Sequence, residues 1–146
     1  MVSRVQQRKR YDQSPWGKAM HLYHAARKRA VKKGVPFTIT VEDIFFPLEL
    51  GLCQLSGLPL NMRGSRSNRT YSPSVHRIDP SKGYVSGNIQ IVCWSLNAMI
   101  GEWGAATFEE IAYQHLLRTR PDLVIQKARR SHAVNDNQLD MFAMAA

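Results

Sequence analysis

The chain is short of acid, short of cysteine, and without any apolar run long enough to cross a membrane. Asp and Glu number 11 against 20 Lys and Arg in 146 residues, a formal charge of +9. A surplus that one-sided exceeds what solubility requires and points to a phosphate-bearing partner. Two cysteines, Cys53 and Cys93, are too few for a disulfide scaffold and are read as buried thiols. With no membrane-length apolar run and no signal-peptide pattern, the expected location is the cytoplasm and no membrane partner is expected.

What is there is cationic and clustered. Arg27, Lys28, Arg29, Lys32 and Lys33 crowd one short stretch; Arg63, Arg66 and Arg69 fall in a Gly/Ser/Asn-rich stretch; Lys127, Arg129 and Arg130 open the tail. The first five, with Arg66 and Arg69, are the expected contacts to a nucleic-acid backbone. Residues 1–13 are basic and lack a hydrophobic period, which reads as a flexible arm. Ser14-Pro15 is a helix start, and the helix is expected to run to Lys33, where Gly34 stops it. Ala19, Leu22, Tyr23, Ala26 and Ala30 form its buried stripe. Phe37-Thr38-Ile39 is a short extended piece. Thr40 with Asp43 then opens a second, short helix whose core face is Ile44, Phe45, Leu48 and Leu50, with Pro47 inside it. Thr107 and Glu110 mark a further helix, with Phe108, Ile111, Ala112, His115 and Leu116 as its stripe; His115 there is a packing residue.

Between these lies the stretch on which the chain turns, Ser72 to Trp103. Ser74 to Ile78 alternates as a strand, with Val75 and Arg77 on one face and His76 and Ile78 on the other. Pro80-Ser81-Lys82-Gly83 is a turn. Ile89 to Val92 is a β-branched strand, and Trp94 to Trp103 carries apolar residues at helical spacing. His76, Arg77 and Asp79 from the first strand and Asn97 from the helix are expected to meet in one pocket. An Asn in mid-helix lowers helix propensity, so Asn97 calls for a reason. Composition and periodicity by themselves give a small α+β domain.

The motifs resemble the HNH, or His-Me finger, nucleases of the phage-type branch, over roughly residues 50–103. His76-Arg77-Ile78-Asp79-Pro80, then Gly83-Tyr84, Asn88, Val92-Cys93-Trp94 and Asn97 carry the likeness. It implies a ββα-metal finger, a β-hairpin plus helix, flanked by helices with flexible termini. It implies a divalent metal, Mg²⁺ or Mn²⁺, with DNA as the partner and a bacterial or phage-infected cell as the setting. The implied activity is metal-dependent endonuclease hydrolysis of phosphodiester bonds. His76, Arg77 and Asn88 fall at catalytic positions; His76, Asn97 and Asp79 at metal-binding ones. The departure is Arg77 where the family has its general-base His, because a guanidinium has no lone pair to accept a proton. Two registers stay open: His76 as metal ligand with Asn97, or His76 as base with Asp79 and Asn97 on the metal. The alternative function is a catalytically weak or inactive DNA-binding accessory on the same fold; a basic RNA-associated factor is a third.

Two further likenesses are shorter. Cys53-Gln54-Leu55-Ser56 and Cys93-Trp94-Ser95-Leu96 resemble the two halves of a zinc knuckle, each with one ligand replaced by serine. Two of four ligands argue against a structural zinc and for a turn that keeps the knuckle's shape. Gln138-Leu139-Asp140-Met141-Phe142 resembles the peptide by which bacterial DNA-processing proteins dock on the replicative sliding clamp. The expected organisation is an arm at 1–13, a nuclease-like domain at 14–123 with its core at 50–103, and a flexible tail at 124–146 bearing that motif.

Overall fold

A computed structural model describes residues 3–63 and 68–123; Arg66, the tail cations and the Gln138–Phe142 motif lie outside the described residues. The chain divides into two units, Met1–Ala105 and Ala106–Ala146. The expected single span 14–123 is therefore interrupted within its last helix, while residues 3–13 belong with the first unit.

The expected arm is a helix, α1 (Arg4–Gln13). It has little apolar face; what starts it is a capping box, in which the Gln6 N–H donates to Ser3 Oγ and the Ser3 N–H to Gln6 Oε1. Ser14 ends α1 and begins α2 (Pro15–Lys33) at once: its hydroxyl donates to the Tyr11 carbonyl and accepts the Gly17 N–H. A Cβ on Gly17 would stand 1.9 Å from the Tyr11 carbonyl oxygen, so the tight α1–α2 joint requires glycine. At the other end Gly34 adopts a left-handed φ of 63°, and its N–H and that of Val35 close the last turn of α2.

Ala19, Ala26 and Ala30 are buried along α2, with Leu22 and Tyr23 packed beside them, as the spacing predicts. Small side chains there let α3 (Glu42–Glu49) approach closely. Thr40 and Asp43 exchange hydrogen bonds in front of α3, a capping box one residue outside the helix proper. Ile44 and Leu48 are buried, but Leu50, expected in the core, is 75% exposed. α3 ends at Glu49 and Gly51 turns the chain at φ 67°, which carries Leu50 outward.

Strands β1 (Pro73–Arg77) and β2 (Ile89–Cys93) pair antiparallel, Val75 opposite Ile91 and His76 opposite Gln90. Helix α4 (Trp94–Ile100) follows β2 without a linker and packs against both strands. Ile44, Leu48, Ile91 and Val92 are large, fully buried side chains that hold these layers together, each worth about 1.5–3 kcal/mol of burial. The two cysteine segments meet as expected. The Cys93 N–H donates to Cys53 Sγ at 3.4 Å, and the segment from Leu52 to Pro59 folds back on itself. Burial pushes the Cys53 thiol up, but hydrogen bonds from the Ser56 hydroxyl and from nearby backbone N–H groups outweigh it, and the thiol sits below its ordinary value.

The loop between the strands is pinned to the α2–α3 connection. Tyr84 pairs with Phe37, its N–H donates to the Pro36 carbonyl, and its own carbonyl accepts the Thr38 N–H. Gly83 passes so close that a Cβ would lie 2.5 Å from the Pro36 oxygen, at a φ of +78°. Gly83→Ala should therefore destabilise the protein by about 2 kcal/mol or more, read from chemical denaturation; an unchanged midpoint would show that the loop is free to lift off Pro36.

Helix α5 (Ala105–Thr119), in the second unit but for its first residue, begins two residues before the expected cap, so Thr107 lies inside its first turn. Ala105 and Ala106 are strong helix formers and extend it backward.

Candidate phosphate-binding site

One cavity of about 150 Å³ gathers residues from every part of the fold's centre. Arg29 and Lys33 reach it from α2, Val75, His76 and Arg77 from β1, Pro80 and Tyr84 from the loop, and Asn97, Gly101 and Glu102 from α4 and its end. Arg29 and Lys33 share a helix face because they are four residues apart. His76 and Arg77 are adjacent on a strand, yet both line the cavity.

His76 is 3% exposed, and its Nδ1 lies 3.1 Å from Asn97 Oδ1. The Asn97 amide is oriented by its nitrogen, which donates to Ser74 Oγ at 2.7 Å and to the Val75 carbonyl at 3.2 Å. Its oxygen is thereby fixed toward the imidazole. That is the reason for a mid-helix Asn: it ties α4 to β1 and holds the His76 ring.

Asn88, 6% exposed, has a different task. Its oxygen accepts the Asp79 N–H, and its nitrogen donates to the carbonyls of Asp79 and Gly83. It closes the loop 79–88 and does not touch His76; the ring is oriented by Asn97. Asp79 also stands apart. Its carboxylate accepts from the Ser81 hydroxyl and N–H and faces Lys82. Those Ser81 hydrogen bonds, with a smaller contribution from Lys82, hold its carboxyl below the usual carboxylate range.

The charges in the cavity are lopsided. Arg77 donates to the Pro80 carbonyl and lies 5.3 Å above the Tyr84 ring. Arg29 approaches the same ring and donates from Nε to the Tyr84 hydroxyl. The Arg29 Nη2 is buried with no hydrogen-bond partner among the described residues. Lys33 completes the set and is paired with Glu102. Two guanidiniums on one tyrosine, one of them with an orphaned donor, repel each other unless an anion joins them.

The chain has no significant match among protein-family models, curated proteins or solved structures. The chemistry of the cavity must therefore carry the reading.

A divalent metal on His76, Asn97 and Asp79 is not assembled as a trio, since Asp79 is engaged within its own turn. Asn97 Oδ1 can only accept, so at 3.1 Å it takes the proton of His76 Nδ1, and the lone pair left on the ring to hold an ion is that of Nε2. An ion such as Mg²⁺ takes one or two protein groups and completes its shell with water and substrate phosphate. Beside three cationic side chains, phosphate is needed to balance it.

Of the other expected nucleic-acid contacts, Arg27 and Lys28 lie with His24 and Val31 on a separate surface groove, and Lys32 is exposed. Arg69 stacks on Trp94. Sequence reasoning did not single out Tyr84 or Glu102 for the site. Glu102 was legible as the one acid directly after the helix bearing Asn97. It occupies Lys33 as a phosphate would, so Glu102→Gln should raise DNA affinity about two- to fivefold at low salt, less at high salt. Fluorescence anisotropy measures this; equal affinities would remove Glu102 as a competitor.

Proposed function

We propose that the protein is a metal-dependent DNA endonuclease of the His-Me finger type, which holds a backbone phosphate in the cavity and hydrolyses the phosphodiester bond. The observation that carries the reading is the His76 ring, held by the Asn97 amide and lining a cavity walled by Arg29, Lys33 and Arg77. The order hairpin then helix, β1–β2–α4, agrees with a ββα-metal finger.

In this reading Arg29 and Arg77 grip the phosphate oxygens, and Arg29 gains the partner its buried Nη2 lacks. Lys33 exchanges Glu102 for phosphate. Tyr84 spaces the two guanidiniums and keeps them from collapsing together. Asn97 holds the imidazole ring in place. A divalent ion held by His76 through Nε2 would neutralise charge on the phosphoryl group and the leaving oxygen.

One observation favours a second reading, a DNA-binding protein that does not cut. The side chain at the family's base position is Arg77, and it is committed to the Pro80 carbonyl and the Tyr84 ring. Nicking of supercoiled plasmid in Mg²⁺, in Mn²⁺ and in EDTA separates the two. Nicking that requires the ion is the expected result. Tight DNA binding with no nicking in either ion would establish the second reading, and absence of DNA binding would overturn both.

A further inference from the structure

A second feature, at the start of α4, has no part in phosphate binding. The Arg69 guanidinium carbon lies 3.7 Å from the centroid of the Trp94 ring. That is the thickness of two stacked π systems; the Arg29 and Arg77 contacts with Tyr84, at 5.8 and 5.3 Å, are looser. Trp94 is 36% exposed and Arg69 is exposed. The pair is rigidly mounted. The Trp94 N–H donates to the Ser72 carbonyl at 2.7 Å, the Ser95 N–H to the Thr70 carbonyl at 3.1 Å, and the Ser72 N–H to the Arg69 carbonyl at 2.9 Å. Two backbone bonds thus lash the 70–72 segment to the start of α4, and a turn fixes Arg69 over the ring.

Position gives the pair its meaning. Trp94 opens α4, and Asn97, which holds His76, comes three residues later. Three residues of helix rise about 4.5 Å, less than the span of one nucleotide. Residues three apart share a helix face, with Cβ atoms about 5–6 Å apart, so the platform borders the Asn97 side chain that lines the cavity.

We infer that Arg69 and Trp94 form a stacking platform for an unpaired nucleobase, so that the preferred substrate is a DNA strand with a single-stranded stretch beside the bound phosphate. The inference rests on the phosphate site proposed above and adds the substrate class. A planar guanidinium laid on indole presents its outer face to a base. A base inside an intact duplex already has both faces covered, so only an unpaired one is free to stack on protein. A surface pair present merely for stability has no reason to distinguish such substrates.

The test compares an intact duplex, a gapped duplex of the same length and an oligo-dT strand, by anisotropy at a single salt concentration. The native protein should bind the gapped duplex about tenfold more tightly than the intact one. Trp94→Ala should erase that preference while leaving intact-duplex affinity unchanged, and Trp94→Phe should keep most of it. Arg69→Lys, which preserves charge but not planarity, should weaken it without touching the core; it carries the test if Trp94→Ala does not fold. No preference in the native protein, or a preference that survives in both a folded Trp94→Ala variant and Arg69→Lys, overturns the platform. Intact-duplex binding and its loss in Arg29→Ala report the phosphate site alone, so the two readings fail separately.

Discussion

His76→Ala should lower divalent-dependent DNA cleavage roughly 10²- to 10³-fold, because a metal's charge stabilisation is worth several kcal/mol and each 1.4 kcal/mol is about tenfold in rate. Asn97→Ala should do nearly as much. It frees the ring that the amide holds at 3.1 Å. His76→Asp is the informative companion. A carboxylate can ligate Mg²⁺ but cannot reproduce an imidazole's proton chemistry at neutral pH. Retained cleavage in His76→Asp, with Mg²⁺ now favoured over Mn²⁺, would make residue 76 a ligand. Cleavage lost in His76→Asp and in His76→Ala alike would point to an imidazole base and return the assignment to the other register. Plasmid nicking under both ions, with duplex affinity measured alongside, checks each variant; native-level cleavage in His76→Ala would place the chemistry elsewhere.

The second large effect concerns Arg29. Its Nη2 is buried without a partner among the described residues, and it shares Tyr84 with Arg77. On the proposed function that cation is a cost to the fold until a DNA phosphate supplies its partner. Arg29→Leu should therefore weaken duplex binding tenfold or more and shallow the salt dependence of affinity by about one phosphate contact. The same variant should be as stable as the native protein or more so, by about 1 kcal/mol, when DNA is absent. Anisotropy across a salt series gives the first result and urea unfolding the second. An Arg29→Leu variant that is markedly unstable and binds DNA normally would make Arg29 a structural residue.

How much of this was legible in the sequence depends on what each segment's order rests upon. Helix α2 was legible to the residue, because Ser14-Pro15 and Gly34 act locally and its alanines repeat at helical spacing. α1 was missed because its start is a Ser3–Gln6 exchange of hydrogen bonds, with no apolar stripe to reveal it. Leu50 was misplaced because periodicity continues on paper past the point where Gly51 turns the chain.

The site divides in the same way. His76, Arg77 and Asn97 were expected in one pocket and do line one cavity. Asp79 was grouped with them, but a serine two residues on offers its carboxylate a hydroxyl and an N–H at once, and that local turn prevails over a distant ligand role. Asn88 was grouped with them too, and its three hydrogen bonds go to the loop. The five cations clustered toward the end of α2 look alike in sequence. Only the fold says that Arg29 and Lys33 face the cavity while Arg27 and Lys28 face elsewhere.

The hairpin of β1 and β2 has only two strands, and such a sheet leaves both margins open to pairing with another chain. Here neither margin is bare at its middle. On β2, Gln54 takes both the carbonyl and the N–H of Ile91. On β1, directly opposite, the Asn97 amide takes the Val75 carbonyl. The side chain that steadies the imidazole thus also blocks strand addition, and the price of removing it includes an exposed β edge: loss of Asn97 uncovers a self-association hazard along with the loss of the site.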